Sequence, residues 1–269
     1  MQTGYYASAA GMVTQFNRLD TIANNLANVN TNGFKEDDLI VGDFMRLYQE
    51  KRDELPNENN TKEGAKFINR TMARAPQVVD SYTDFSVGNL EKSTNPLDVA
   101  LSESNLFFAV ETPQGMRFTR DGAFTLDDEG FLVTKEGYKV LGDDKKPISF
   151  TTTDDKVIID KNGQISTSVP GSTNLVKNKK LYIATIDNPK YMQKEGDNLY
   201  KTQDMKRISV AEESGAVRQG FVEKSNVNAV QMMTQMIETN RLIGMYQKAM
   251  DAQMNDMNRD AIEKIARKA

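Results

Sequence analysis

A chain of 269 residues can bury one large core or two ordinary ones. Its 34 basic and 38 acidic residues leave a net charge of -4 with no basic patch, which excludes a nucleic-acid surface. Cysteine, histidine and tryptophan are absent, which removes disulfides, thiolate chemistry, the usual transition-metal sites and the Ser-His and Cys-His nucleophile pairs together.

No apolar run approaches the length of a membrane span, and no charged segment followed by an apolar core opens the chain. Neither membrane insertion nor a general secretory signal is therefore expected. Residues 1–30 read as one helix. Tyr5, Ala9, Met12, Phe16, Leu19, Ala23 and Leu26 fall in an unbroken four-three spacing, the pattern of a coiled-coil seam. The polar run Asn28, Asn30 and Asn32 breaks the helix, and Gly33 suits a positive-φ stop. That run reads either as a helix C-terminus or as an asparagine ladder between subunits.

Asp43 to Leu55 is charged and helix-compatible, and Pro56-Asn57-Glu58-Asn59-Asn60 breaks any regular structure. With the weak signals of Thr61 to Asp80, residues 36–85 read as a mobile or partner-ordered connector. From Phe85 the pattern becomes short runs with period-two character. They are Leu97 to Leu101, Leu106 to Val110, Met116 to Arg120, Ala123 to Leu126, Phe131 to Thr134 and Tyr138 to Leu141. Pro113-Gln114-Gly115, Asp121-Gly122, Asp127-Asp128-Glu129-Gly130 and Glu136-Gly137 separate them as turns. Further strands are expected at Val157 to Ile159, Ile165 to Ser168, Leu181 to Ile186 and Leu199 to Thr202, with Val217 to Glu223 as the last. Residues 86–225 are thus expected to form an antiparallel β domain, a sandwich or an irregular barrel.

Asn228 is a good N-cap with Gln231 three residues on, and opens a helix to the C-terminus. Met236, Ile243, Met250 and Met257 recur there every seventh residue, widened by Val230, Met233, Ile237, Tyr246, Met254, Ala261 and Ile265. Methionine at this spacing reads as packing rather than cofactor ligation, since no other ligand type lies near. The fold class is therefore α+β: paired terminal helices, 1–35 and 226–269, bracket a connector and an all-β domain. Either helix alone buries too little apolar surface to offset the entropy of ordering it. The termini are expected to fold stably only when copies stack.

Candidate chemistry is sparse. Asp127-Asp128-Glu129 and Asp154-Asp155 lack the alternating spacing of a calcium loop, and the first is ideal turn composition. Arg117 and Arg120 flank Thr119 in a strand, where a salt bridge or an exposed face accounts for them. The strand-separating glycines form no phosphate cradle. No catalytic, cofactor or metal constellation is expected.

Three segments, in order, resemble a known family. Ala23-Asn24-Asn25-Leu26-Ala27-Asn28-Val29-Asn30-Thr31-Asn32-Gly33-Phe34-Lys35 is similar to the signature of bacterial flagellar rod, hook and hook-associated axial proteins. Asn95-Pro96-Leu97-Asp98-Val99-Ala100-Leu101, Phe107-Phe108-Ala109-Val110 and Phe118-Thr119-Arg120-Asp121-Gly122-Ala123-Phe124 resemble its core domain. Glu223-Lys224-Ser225-Asn226-Val227-Asn228 and Met236-Ile237-Glu238-Thr239-Asn240-Arg241 resemble its closing helix. The resemblance implies a non-enzymatic subunit of the basal-body rod, whose terminal helices polymerise into a torque-transmitting shaft around an export channel. It implies copies of itself and other rod and hook subunits as partners, and export unfolded through the flagellar type III apparatus without a cleavable signal peptide.

Size and a single β domain suit a rod protein. Arg241-Leu242-Ile243-Gly244 lacks the aromatic-acidic pair usual in distal-rod subunits, which favours the proximal type. In that frame Met12, Phe16, Leu19, Leu26, Met236, Ile243 and Met250 are expected to pack between helices. Asn24, Asn25, Asn28 and Asn30 are expected to make polar contacts between subunits. The readings from other classes are a carboxylate-dependent cell-wall hydrolase, which needs two opposed carboxylates in a groove, and a cell-surface ligand-binding β module.

Overall fold

The computed structural model describes residues 2–43, 76–150, 156–168, 175–202, 208–211 and 215–266. A long helix stands near each end of the chain, α1 (Gln2–Ala27) and α2 (Ala229–Ala266). α1 stops three residues short of the expected end. Asparagine side chains compete with the helical backbone, and the chain turns as Thr31 N–H donates to the Asn28 carbonyl at 3.1 Å. α2 begins where its cap was read, with Asn228 Oδ1 accepting from the N–H groups of Val230 and Gln231 at 3.1 and 3.3 Å.

The chain divides into two compact units. The first comprises Met1–Ala27, Asp37–Tyr82 and Asn228–Ala269, and the second Asn28–Glu36 and Thr83–Val227. In the first unit, β1 (Asp37–Asp43) pairs with β2 (Pro76–Thr83). The span expected as connector therefore carries a two-stranded ribbon at its ends, built on the β-branched pairs Ile40-Val41 and Val78-Val79. The helix-compatible stretch from Asp43 to Leu55 and the Pro56 breaker lie, beyond Asp43, outside the described residues. So does the acidic pair Asp154-Asp155.

The second unit is all β. Its strands are β3 (Leu90–Lys92), β4 (Val99–Leu101), β5 (Leu106–Thr112), β6 (Gly115–Thr119), β7 (Thr125–Leu126), β8 (Leu132–Val133) and β9 (Lys139–Val140). β10 (Lys156–Ile159), β11 (Gln164–Ser168), β12 (Leu175–Lys180), β13 (Ile183–Ile186), β14 (Met192–Gly196) and β15 (Leu199–Thr202) follow. β16 (Ile208–Val210), β17 (Val217–Gln219) and β18 (Phe221–Glu223) complete the set. The largest sheet runs β14-β15-β6-β5-β9-β8-β7, with β13 joining β5 to β16, and every pairing in it is antiparallel. It ends at β14 and β7 without closing, so the barrel alternative is replaced by an open sheet accompanied by the smaller sheets β10-β11-β12, β17-β4 and β18-β3.

β5 organises this unit. Leu106, Phe108 and Val110 enter one core cluster, while Phe107 and Ala109 enter the other. A strand buried on both faces needs a continuous apolar run rather than an alternating one, which Leu106 to Val110 supplies. The last expected strand, Val217 to Glu223, is two. Gly220 breaks it at φ 72°, so β17 pairs with β4 and β18 with β3.

Candidate assembly surfaces and a buried charge cluster

α1 and α2 meet through small side chains. A Cβ added at Gly11 would lie 2.6 Å from the Tyr246 ring, and one at Gly4 would lie 2.7 Å from Gln253 Nε2. Asn25 Nδ2 approaches Met232 Sδ at 3.9 Å. The numbers in each pair, Gly4 with Gln253, Gly11 with Tyr246 and Asn25 with Met232, sum to 257, so one antiparallel register covers the contact. Thr14 and Ile243, both buried, match in that register.

Among the described residues, those of α1 fully buried in this unit are Gly11, Thr14, Ile22 and Asn25. The large apolar series read from the sequence runs along their flank: Met12, Leu19 and Leu26 are half-buried and Phe16 is 42% exposed. On α2, Ile243 is buried, and Met236 and Met250 are half-buried. Among the asparagines, Asn24 and Asn30 are exposed. The Asn25 amide is committed within the chain, donating to the Asp37 carbonyl at 2.7 Å and accepting from the Asp37 N–H at 3.0 Å. Asn28 is half-buried and accepts from Thr31 Oγ1 at 3.1 Å.

α2 has a second apolar face. At 100° per residue, Val230, Met233, Ile237, Met245 and Ile262 fall within an arc of about 120°, opposite the buried Met232, Thr239 and Ile243. All five are at least 53% exposed. α1 likewise presents Tyr6, Val13 and Phe16 on the side away from Gly4, Gly11 and Asn25.

In the second unit three charged side chains are buried together. Glu223 Oε1 accepts from Lys35 Nζ at 2.6 Å and from the Gly88 N–H at 2.9 Å. Its Oε2 accepts from Arg120 Nε at 2.9 Å and pairs with Arg120 Nη2 at 2.7 Å. Lys35 Nζ also donates to the Ser86 carbonyl, and Arg120 Nη1 donates to the carbonyls of Glu103 and Leu106. All three side chains are at most 1% exposed. Burial pulls the Lys35 ammonium down to about 8 against the attraction of Glu223, and it lowers the Arg120 guanidinium in the same direction.

Of the two readings of the arginines, the salt bridge rather than the exposed face holds for Arg120, which pairs with Glu223 in the core. Arg117 forms an ion pair with Glu195. Nothing in the local sequence marked this cluster, although its members lie in the three segments that carry the family resemblance. Asp127 serves a turn, its Oδ1 accepting from the N–H groups of Glu129 and Phe131 at 3.0 and 2.7 Å. Among the described residues no cluster of three metal-ligating side chains occurs, and no helix is long and apolar enough to cross a membrane.

A β unit with a complete core, together with terminal helices that leave large apolar side chains uncovered, defines an assembly subunit. Three family descriptions match in order: "Flagella basal body rod protein" over residues 6–35, "Flagellar hook protein FlgE/F/G D1 domain" over 103–167, and "Flagellar basal body rod FlgEFG protein C-terminal" over 218–263. The chain is 31% identical over 263 residues to the flagellar basal-body rod protein FlgG of Borreliella burgdorferi, covering 95% of this chain and 96% of that one. It is 30% identical over 271 residues to the rod protein FlgF of Caulobacter vibrioides, covering 99% of both. To the hook-basal body complex protein FlhP of Bacillus subtilis it is 28% identical, covering 83% of this chain and 85% of that one.

The chain belongs to the flagellar basal-body rod protein family. It is a structural subunit of the flagellar basal body, assembles with other rod and hook subunits, and is not an enzyme. The hydrolase reading is thereby set aside.

Proposed function

We propose that copies of this chain polymerise helically through α1 and α2, paired as a coiled coil, into a torque-transmitting shaft with a central export channel. The observation that supports this is the poverty of the helical unit's core. Among the described residues it fully buries three hydrophobic side chains, Ile22, Met232 and Ile243, while Tyr6, Val13, Phe16, Val230, Met233, Ile237, Met245 and Ile262 are 42–74% exposed. Helices of 26 and 38 residues are not held by so little burial. Contacts joining different faces of successive copies propagate as a helix instead of closing a ring.

Met12, Phe16, Leu19, Leu26, Met236, Ile243 and Met250 then pack in and beside the helix pair, and Asn24, Asn25, Asn28 and Asn30 make the polar contacts between subunits, Asn25 from its place on the Asp37 backbone. Arg241-Leu242-Ile243-Gly244 supports the proximal-rod type, and delivery is by the flagellar type III export apparatus. Limited proteolysis with mass mapping tests the central claim on the free full chain and on isolated basal bodies. The free chain is expected to lose its termini and leave the β unit, with the termini protected in basal bodies. Termini equally resistant in both refute it. Cross-linking within basal bodies then identifies the neighbours and so tests the proximal assignment.

A further inference from the structure

The β unit is built from one continuous body, Thr83–Val227, and a short separate piece, Asn28–Glu36, that reaches it from the end of α1. Four side chains of the body hold that piece. Asn198 Nδ2 donates to the Asn32 carbonyl at 3.1 Å, and Lys224 Nζ donates to Asn32 Oδ1 at 3.1 Å. Lys194 Nζ donates to the Lys35 carbonyl at 2.7 Å and lies 4.1 Å from the centre of the Phe34 ring. Glu223 receives the Lys35 ammonium. Phe34 is 5% exposed, and Gly33 sits where the body leaves no room for a Cβ. Backbone, glycine, aromatic ring and ammonium each meet a matching group, so the body carries a built site for Asn32-Gly33-Phe34-Lys35.

We propose that this segment is a latch: it stays docked on the β unit of the free subunit while α1 and α2 are unfolded, and holds the two helix-forming ends close enough to pair on assembly. This rests on the reading that those helices form on assembly. With the latch shut, only residues 28–31 separate α1 from the docked Asn32, and α2 begins at Ala229, just beyond the body's last residue. With it open, α1 is tied to the body through residues 28–82, about 55 in all. Closure probability falls as about the three-halves power of loop length, so a loop about ten times longer closes at least about tenfold less readily. The charge cluster permits opening, because Arg120 stays paired with Glu223 while Lys35 takes its charge into water.

The test uses the full chain below the concentration at which it associates. Amide hydrogen exchange read by mass spectrometry is expected to leave peptides across 32–36 protected, because Gly33 N–H donates to the Glu223 carbonyl at 2.8 Å, while peptides across α1 exchange freely. Gly33→Ala, whose Cβ would meet the Asp121 nitrogen at 2.3 Å, is expected to open the latch. Exchange across 32–36 then becomes fast, the near-UV circular dichroism of the buried Tyr182 and Tyr200 stays, and association followed by sedimentation needs about tenfold more protein. Lys194→Met with Asn198→Gly loosens the grip from the body's side and keeps the positive-φ turn at position 198. That pair is expected to move exchange and association the same way. Free exchange across 32–36 in the wild type, loss of the near-UV signal in Gly33→Ala, or association at the wild-type concentration once the segment is open overturns the inference and leaves the assembly reading standing. A wild-type chain that never associates, or whose α1 is as protected as 32–36, overturns the assembly reading and the inference with it.

Discussion

Replacing Glu223 by glutamine tests the buried charge cluster most directly. The amide keeps the shape of the side chain but leaves Lys35 and Arg120, both essentially inaccessible, without their anion. Removing one partner of a buried ion pair costs about 3–5 kcal/mol. Lys35 limits its own share by releasing a proton. From an ordinary value of 10.5 that release costs about 5 kcal/mol at pH 7, of which roughly 3 is already present in the wild type, where burial holds the group near 8. Arg120 cannot escape this way and accounts for most of the deficit.

Lys35→Met, by contrast, leaves Arg120 and Glu223 as a matched pair and removes a costly buried ammonium. Its loss should stay below about 1.5 kcal/mol, mainly the unmade bond to the Ser86 carbonyl. Urea unfolding of the full chain at pH 7, followed by near-UV circular dichroism of the buried Tyr182 and Tyr200, reads the β unit. A Glu223→Gln cost below 1 kcal/mol, or a Lys35→Met cost equal to it, would refute this account.

Lys35 also makes the β unit more stable in mild alkali. Its folded value near 8 lies below the unfolded 10.5, so the folded state releases the proton first and stability rises between about pH 8 and 10, by roughly 3 kcal/mol at most. Above pH 10 the raised Tyr182 phenol opposes the rise; urea midpoints at about pH 7.5 and 9.5 should show it in the wild type and not in Lys35→Met. In the helical unit, Gly11→Ala places a methyl 2.6 Å from the Tyr246 ring and should raise the protein concentration needed for association in sedimentation. Tyr246→Ala should offset much of that rise, and simple additivity of the two would contradict the register. Leu19→Asp puts a charge on the half-buried flank of α1 and should abolish association in sedimentation while leaving the urea transition of the β unit unchanged.

The strands and the cap of α2 were legible because their signals are local. Pro113-Gln114 sits in the turn between β5 and β6, Asp127 binds the N–H groups of its own turn, and Asn228 caps the N–H groups of Val230 and Gln231 in its own helix. The helix contact was less legible for a physical reason. Periodicity weighs large apolar residues, but the closest approach between helices is made where side chains are smallest, at Gly4, Gly11 and Thr14. The series Met12, Phe16, Leu19 and Leu26 therefore marks a flank of the contact. The charge cluster was illegible for another reason: Lys35 and Glu223 stand 188 residues apart, and a sequence names charges without naming partners.

That cluster also explains why the segment after α1 groups with the β unit. Gly33, at φ 69°, donates its N–H to the Glu223 carbonyl at 2.8 Å, and any Cβ there would lie 2.3 Å from the Asp121 nitrogen. Two residues on, Lys35 reaches the Glu223 carboxylate, and Glu36 N–H then donates to Asn226 Oδ1 at 2.8 Å. The segment after α1 and the end of β18 are tied side by side, with Arg120, the residue after β6, closing the tie. A domain pinned at entry and exit holds its fold whatever the helices beyond do. The helices can therefore remain poor in core and rich in exposed apolar surface, which is the condition a subunit needs if its ends are to find their burial in other copies.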